Sequence, residues 1–268
     1  RSKFMKIAAY NLNSINARIE NLTAWLAKAA PDVVLVQEIK SEYNNFPFFE
    51  LRAAGYEAKM LGQKSYNGVA VLSRHPLSVV REGLPDFDDP NARYLETEVS
   101  VQGQKWRLAS IYLPNGNPPY NDVADRSKYL YKLEWMNAFL RHAADLRKLD
   151  CPVVLGGDFN VILTENDVYD PKPFADDALF LPEVRRKLNA LCHGGFYDAF
   201  RTLHPKDPGY TFWDYTGNAL AADFGMRIDY LFLNAPAVDR LLSCTVDKSP
   251  RLAPKPSDHT ALVAEFRP

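Results

Sequence analysis

The chain has 268 residues, 47% of them apolar and 24% charged, enough to bury a substantial core in one large domain or two small ones and too apolar for disorder beyond the termini. A formal net charge of −1 argues against a uniformly basic, passive nucleic-acid binder, while charge segregated by face still allows DNA as a substrate. Three cysteines with no Cys-x-x-Cys pair (Cys151, Cys192 and Cys244) argue against a disulfide framework or structural zinc and for a reducing, cytoplasmic compartment; no apolar run is long enough to span a membrane and no secretory signal is visible.

In chain order, residues 1–5 read as a tag remnant or disordered extension and residues 6–268 as one domain. Ile7-Ala8-Ala9-Tyr10 is the apolar run of a strand expected to begin at Lys6. Ile15, Ile19, Leu22, Leu26 and Ala29 recur at helical spacing, and Pro31-Asp32 ends that segment. Strands are expected at Val33 to Val36 and Gly68 to Ser73. Leu95 to Val101 and Trp106 to Leu113 read as a hairpin across Gln102-Gly103, followed by a Pro-rich loop from Asn115 to Tyr120. Tyr129, Leu133, Met136, Leu140 and Ala143 mark a second helix. Val153 to Leu155 is a short strand, and Asp170 to Asp177 is a long loop. Val184, Leu188 and Leu191 mark a third helix, stopped by Gly194-Gly195. Strands at Ile228 to Leu233 and Thr260 to Phe266 complete the series. Alternation of helix and strand early, with hairpins later, predicts sheet packed on sheet with helices outside.

Polar residues gather where these strands end. Asp158 and Asn160 leave the Val153 run two residues apart, a spacing that faces both to one side if the strand continues and that also marks a turn. Asn11 and Asn13 follow the first strand, where they serve either the site or as caps of the next helix. Gln37-Glu38 follows the second, and Tyr112 and Asn115 lie at the end of the fifth, Trp106 to Leu113. Asp229 lies among apolar residues, where a buried carboxylate needs a partner. Ser257-Asp258-His259 precedes the last strand. Glu38, Asp158 and Asp258 are hard oxygen donors that suit Mg²⁺ or Mn²⁺ and not zinc, with Asn11 and Asn160 beside them. Asp229 and His259 form a carboxylate–imidazole pair in which the acid orients the ring and raises its pKa. Asn11, Asn115, Asn160 and Tyr112 can donate to phosphate oxygens. Together these groups describe phosphodiester hydrolysis by an activated water.

The segments Tyr10-Asn11-Leu12-Asn13-Ser14, Val36-Gln37-Glu38-Ile39-Lys40, Tyr112-Leu113-Pro114-Asn115-Gly116, Gly157-Asp158-Phe159-Asn160, Arg227-Ile228-Asp229-Tyr230 and Ser257-Asp258-His259, in this order and spacing, resemble the exodeoxyribonuclease III and abasic-site (AP) endonuclease family of the exonuclease–endonuclease–phosphatase superfamily. The resemblance implies a four-layered α/β sandwich of two sheets with helices on both outer faces. It implies Mg²⁺ on Glu38, with Asp258 or Asn11 helping and Mn²⁺ able to substitute. Asp229 would orient His259; Tyr112, Asn115 and Asn160 would hold the phosphate; Asp158 or His259 would be the base. Phe212 and Trp213 would flank an extruded sugar, and Arg93 and Asn13 would contact DNA. The implied activity is that of a DNA repair nuclease that cuts 5′ to abasic sites and acts as a 3′–5′ exonuclease and 3′-phosphodiesterase on duplex DNA with abasic sites or damaged 3′ ends, as a monomer in the cytoplasm at the bacterial nucleoid. The segment Ala221 to Gly225 departs from the family by lacking an Arg or Asn that would insert into DNA. Two other readings remain at this point: a superfamily phosphodiesterase for RNA, inositol phosphates or phospholipids, and a non-catalytic nucleic-acid-binding module.

Overall fold

In the computed structural model, which describes residues 4–119 and 126–268, the first half of the chain runs β1 (Met5–Asn11), α1 (Ile19–Ala29), β2 (Val33–Gln37), α2 (Phe48–Ala53), β3 (Glu57–Leu61), β4 (Val69–Ser73), β5 (Leu77–Glu82), β6 (Tyr94–Val101) and β7 (Gln104–Tyr112). The second half runs α3 (Ser127–Leu146), β8 (Val153–Asp158), α4 (Pro182–His193), β9 (Tyr197–Asp198), α5 (Ala199–Leu203), β10 (Phe212–Trp213), α6 (Ala219–Ala222), β11 (Gly225–Met226), β12 (Asp229–Leu233), α7 (Ala235–Val238), β13 (Leu241–Asp247) and β14 (Ala261–Phe266). One six-stranded sheet has the order β13-β14-β1-β2-β4-β3, the other β5-β6-β7-β8-β12-β9, and β10-β11 form a separate two-stranded ribbon.

The pleat of β1 and β2 separates two cores. Successive strand residues point to opposite faces, so Ile7, Ala9, Val33 and Leu35 meet Leu108, Val154 and Leu231 between the sheets. Their alternates Ala8, Tyr10, Val34 and Val36 pack outward against Leu22, Trp25 and Leu26 of α1 and Leu51 of α2. On the far side, Ile111, Leu155 and Phe232 pack against Trp135, Phe139, Val184 and Leu188 of α3 and α4. Helix, sheet, sheet, helix is the expected four-layered sandwich. Burying each such Leu, Ile or Phe contributes about 1.5–3 kcal/mol.

Two parallel pairs, β1–β2 and β7–β8, are joined by the crossover helices α1 and α3, one in each sheet. A parallel pair with a crossover brings both strands' C-terminal ends to the same edge. Asn11, Gln37, Tyr112 and Asp158 are those ends. Gly156 and Gly157 let the sheets close up beneath that edge. A Cβ on Gly156 would meet Leu231 and Leu35 at 2.7 and 2.8 Å, and one on Gly157 would meet the Ile111 carbonyl at 2.0 Å and Gln37 at 2.8 Å.

Several local expectations differ from the structure. The first strand starts at Met5, which pairs with Phe266, so Met5 belongs to the sheet and not to an extension; Arg1 to Lys3 lie outside the described residues. Helix α1 begins at Ile19 and not near Ile15, because residues 15–18 form turns that carry the chain away from the site. Asn11 and Asn13 do not cap it. Strand β8 runs through both glycines to Asp158 and stops there: Asn160 has a left-handed φ of 46°. Asp158 and Asn160 are therefore joined by a turn, the Asn160 N–H donating to Asp158 Oδ1 at 2.9 Å, and not by the pleat of one strand. The Gln102-Gly103 hairpin is as expected, with φ of 50° and 82°; positive φ at both positions matches the twist of the flanking strands. Strands β3, β5 and β13 were not expected. Their alternation is broken by charged or exposed residues, Glu57 and Lys59 in β3 and Arg81 and Glu82 in β5. The Pro-rich loop is described only to Pro119.

Candidate active site

Strand register lines up the acidic residues. Tyr112 pairs with Asp158 across β7–β8, and Asp229 pairs with Asp158 across β8–β12. Asn11, at the end of β1 in the other sheet, bridges the gap: its Nδ2 donates to Asp158 Oδ2 at 2.9 Å and to Glu38 Oε1 at 2.8 Å. Glu38 follows β2 with a φ of 48°. Left-handed backbone is uncommon for a residue other than Gly, Asn or Asp, and such strain persists where the surroundings fix it. Here Ser14 N–H donates to the Glu38 carbonyl at 2.8 Å and Lys40 Nζ lies 3.5 Å from Glu38 Oε2.

His259 is aimed from the other side. Its Nδ1 donates to Asp229 Oδ2 at 2.8 Å, and Nε2 faces Asp158 Oδ2 at 3.5 Å. Thr211 Oγ1 donates to the same Asp229 oxygen at 2.6 Å, while Asp229 Oδ1 is buried without a partner. Ser257 Oγ donates to the Asn11 carbonyl at 2.7 Å and accepts the His259 N–H at 3.1 Å, tying the histidine turn to β1. The Phe212 ring meets the imidazole edge-on at 5.1 Å.

These distances set the protonation states. Burial pushes Asp158 up to about 7; His259 opposes that push, and the neighbouring charges of Asp229 and Glu38 add to it. Burial alone would lower the His259 pKa, but Asp229 and then Asp158 hold it well above the ordinary imidazole value. The Tyr112 hydroxyl, hydrogen-bonded to Glu38, is pushed well above the usual phenol range by burial and by the charges of Glu38 and Asp158. At neutral pH the site therefore contains an imidazolium, a phenol that donates, and a carboxyl group poised to gain or lose a proton.

The groups line a cavity of about 260 Å³ whose polar wall includes Glu38, Tyr112, Asn115, Asp158, Asn160 and His259. Phe174, Leu179, Phe212, Met226 and Ile228 contribute apolar surface to the same lining. Glu38, Asp158 and His259 each offer a ligand atom within 4.8 Å of the others. Two carboxylates converging at that spacing fit a hard cation.

Residues 8–259 match the Endonuclease/Exonuclease/phosphatase family. The chain belongs to that family. It is 27% identical to exodeoxyribonuclease III of Haemophilus influenzae, over 98% of this chain and all of that one. An AP endonuclease structure from Archaeoglobus fulgidus superposes with a TM-score of 0.88 at 32% identity, covering 98% of this chain and 99% of the other. A 3′ phosphatase from Neisseria bound to a product DNA hairpin superposes at 0.89, also at 32% identity and with the same coverage.

Within this endonuclease/exonuclease/phosphatase fold, the residues expected from sequence divide into two groups, with Trp213 apart. Glu38, Tyr112, Asn115, Asp158, Asn160, Phe212, Asp258 and His259 line the cavity. Asn11, Asp229, Arg93 and Asn13 lie outside the lining. Asn11 presents N–H groups to both carboxylates while its Oδ1 accepts from the Asn13 N–H at 3.0 Å, so in this arrangement it bridges the acids and does not offer them an oxygen. Arg93 lies over the Tyr112 ring at 5.0 Å and donates to the Tyr112 carbonyl at 3.2 Å, bracing the tyrosine. Asn13 Oδ1 accepts from Lys40 Nζ at 2.7 Å. Trp213 falls in neither group. Neighbouring strand residues point opposite ways, so with Phe212 turned to the cavity Trp213 is buried facing away. Its indole donates to Asp223 at 2.9 Å, which also turns that carboxylate away from the cavity.

Sequence reasoning missed Thr211, Met226, Ile228, Leu179, Phe174 and Lys132. The last carried a readable signal. Lys132 lies three residues after Tyr129 and three before Trp135 on the buried face of α3, where a lysine needs a reason. Its ammonium donates to the carbonyls of Asn115 (3.1 Å), Asn160 (2.6 Å) and Ala178 (3.1 Å), one in each of three loops around the cavity. Desolvation lowers its pKa to about 7, against the pull of Asp177 and Asp158.

Proposed function

We propose that this protein is a metal-dependent DNA repair nuclease that cuts duplex DNA 5′ to abasic sites and trims nucleotides or blocking groups from 3′ ends. The observation that carries the reading is the cavity's mixed lining: Asp158, His259 and Glu38 converge within 4.8 Å, and Phe212, Met226 and Ile228 line the same space. The polar groups suit a phosphate, and the apolar surface beside them suits a sugar without its base.

Glu38, with Asp258 beside it, would hold Mg²⁺ or Mn²⁺, which when bound supplies Lewis-acid neutralisation of phosphate charge. The imidazolium of His259, kept charged by Asp229, and the Tyr112 hydroxyl donate to the non-bridging oxygens, with the Asn115 and Asn160 amides beside them. Water attacks phosphorus and its proton passes to Asp158, whose pKa of about 7 suits exchange at neutral pH. The P–O3′ bond breaks, the 3′ oxygen takes a proton from solvent water, and Asp158 returns its proton to solvent. One chain supplies every residue of this site, in keeping with a monomer. Among the described residues no helix is long and apolar enough to cross a membrane.

The test is a substrate panel with Mg²⁺: duplex with one abasic site, duplex with a blocked 3′ end, plain duplex, uracil-containing duplex and RNA. The abasic and 3′-blocked duplexes should be processed fastest, and chelation should stop both. Preference for RNA, or turnover that survives chelation, would refute the assignment.

A further inference from the structure

The apolar wall of the cavity does not end at its rim. Phe174, which lines the cavity, meets the Tyr169 ring edge-on at 6.0 Å. Tyr169 in turn stacks on Phe224 at 4.7 Å with 27° between the planes. Both outer rings are open to solvent, Tyr169 at 39% and Phe224 at 46% exposure. The backbone fixes them: Tyr169 N–H donates to the Gly225 carbonyl at 3.1 Å, and Val168 bridges to Met226, another cavity residue. Two ring-to-ring steps thus lead from the reacting site to a pair of parallel rings on the surface. The phosphodiester reaction does not need them. Paired exposed rings beside a polar-lined cavity mark an interaction site more readily than apolar residues scattered singly.

We propose that Tyr169 and Phe224 form a stacking platform for one unpaired nucleobase of the DNA whose phosphate occupies the cavity. The proposal rests on the nuclease reading above. A flat ring pair continuous with a phosphate site suits a base displaced from its stack, because every base has a π-face and such stacking is insensitive to sequence. Residues 221–225 carry no Arg or Asn, and Phe224 among them presents an exposed apolar ring that can act as a wedge. Apolar side chains that unstack a base step are a known way to bend DNA and hold it open. Phe224 touches none of the reacting groups, so chemistry and base capture are separable.

The test uses abasic duplexes with 2-aminopurine placed singly at each position flanking or facing the lesion, bound to the full chain in chelator so that no cutting occurs. At one position the fluorescence should be quenched by the wild type and by Phe224→Trp, but not by Phe224→Ala or Phe224→Leu. Dissociation constants for the last two should rise roughly tenfold, with turnover at saturating DNA unchanged. A duplex lacking the base at that position should bind wild type and Phe224→Ala equally. Equal quenching by all four proteins, or a binding loss that persists without the base, would overturn the platform while leaving the nuclease intact. Unchanged DNA binding with loss of a concentration-dependent dimer in Phe224→Ala would also overturn it, assigning the rings to a second copy of the chain. A wild type that neither binds nor cuts any duplex would overturn both readings.

Discussion

Asp229 presents one oxygen to two donors and keeps the other buried and unpaired. That arrangement concentrates its charge on the imidazole, and two outcomes follow from the signs. Removing the charge in Asp229→Asn removes the largest of the charges that raise His259 and one of those that raise Asp158. In the wild type, activity should rise as Asp158 loses its proton near neutrality and fall where His259 does, well above the ordinary imidazole value. Both limbs of the pH–rate profile should therefore move to lower pH in Asp229→Asn, and the maximum rate should fall by about 10²–10⁴-fold. A profile that drops without shifting would mean that Asp229 only packs. Asp158→Asn should keep DNA binding, measured by fluorescence anisotropy, while lowering cleavage roughly 10³-fold, the scale of losing one group that acts in the transition state. Equal loss of binding and cleavage would make Asp158 structural.

At the scale of elements, two buried cations hold loops to strands. Lys132 joins three site loops to α3, and Arg227 joins the turn before β12 to two others. Arg227 is almost fully buried, donating to Asp167 Oδ1 at 2.7 Å and to both Asp198 oxygens at 2.9 and 3.0 Å; Arg201 of α5 reaches the same Asp167 oxygen at 2.6 Å. Burial alone would raise the Asp167 pKa, but Arg227 outweighs it and holds the carboxyl below its usual value. A carboxyl lowered on folding contributes stability above its unfolded pKa and loses it as pH falls through the folded one. Arg227→Met removes the guanidinium shared by two buried carboxylates, leaving Asp167 to Arg201 alone and Asp198 without a side-chain cation, and should cost about 3–5 kcal/mol of unfolding free energy. Denaturant melts at pH 7 and in acid read this: the deficit should shrink in acid, where protonation removes the stranded charges. Lys132→Met strands three carbonyls and should cost on the order of 3 kcal/mol, with turnover falling more than DNA affinity because the loops around the phosphate loosen. An unchanged melt would show that water replaces the ammonium.

Across the whole molecule, the two βαβ units determine where chemistry is possible. Each delivers the ends of a parallel pair to one edge, and the Gly156-Gly157 pair lets the sheets approach until Asn11 of one touches Asp158 of the other. The layers and the polar strand ends were legible in the sequence because buried parallel strands read as unbroken Val, Ile and Leu runs and their exits stand out. The apolar wall was not. Phe174 and Leu179 come from an irregular segment and Met226 from the two-residue strand β11, none long enough to show a periodicity, and only the folded chain brings them to the cavity that Asp158 lines. Trp213 failed for a related reason: adjacency to Phe212 in sequence puts it on the opposite face of a two-residue strand. The measurement that bears most directly on the proposed function is single-turnover cleavage of a duplex with one abasic site, by wild type and Asp158→Asn, with Mg²⁺ and with chelator. The expected result is one cut on the 5′ side of the lesion that leaves a 3′ hydroxyl, vanishes with chelator and slows roughly 10³-fold in the variant. No cut at the lesion, or a cut indifferent to both the metal and Asp158, would contradict it.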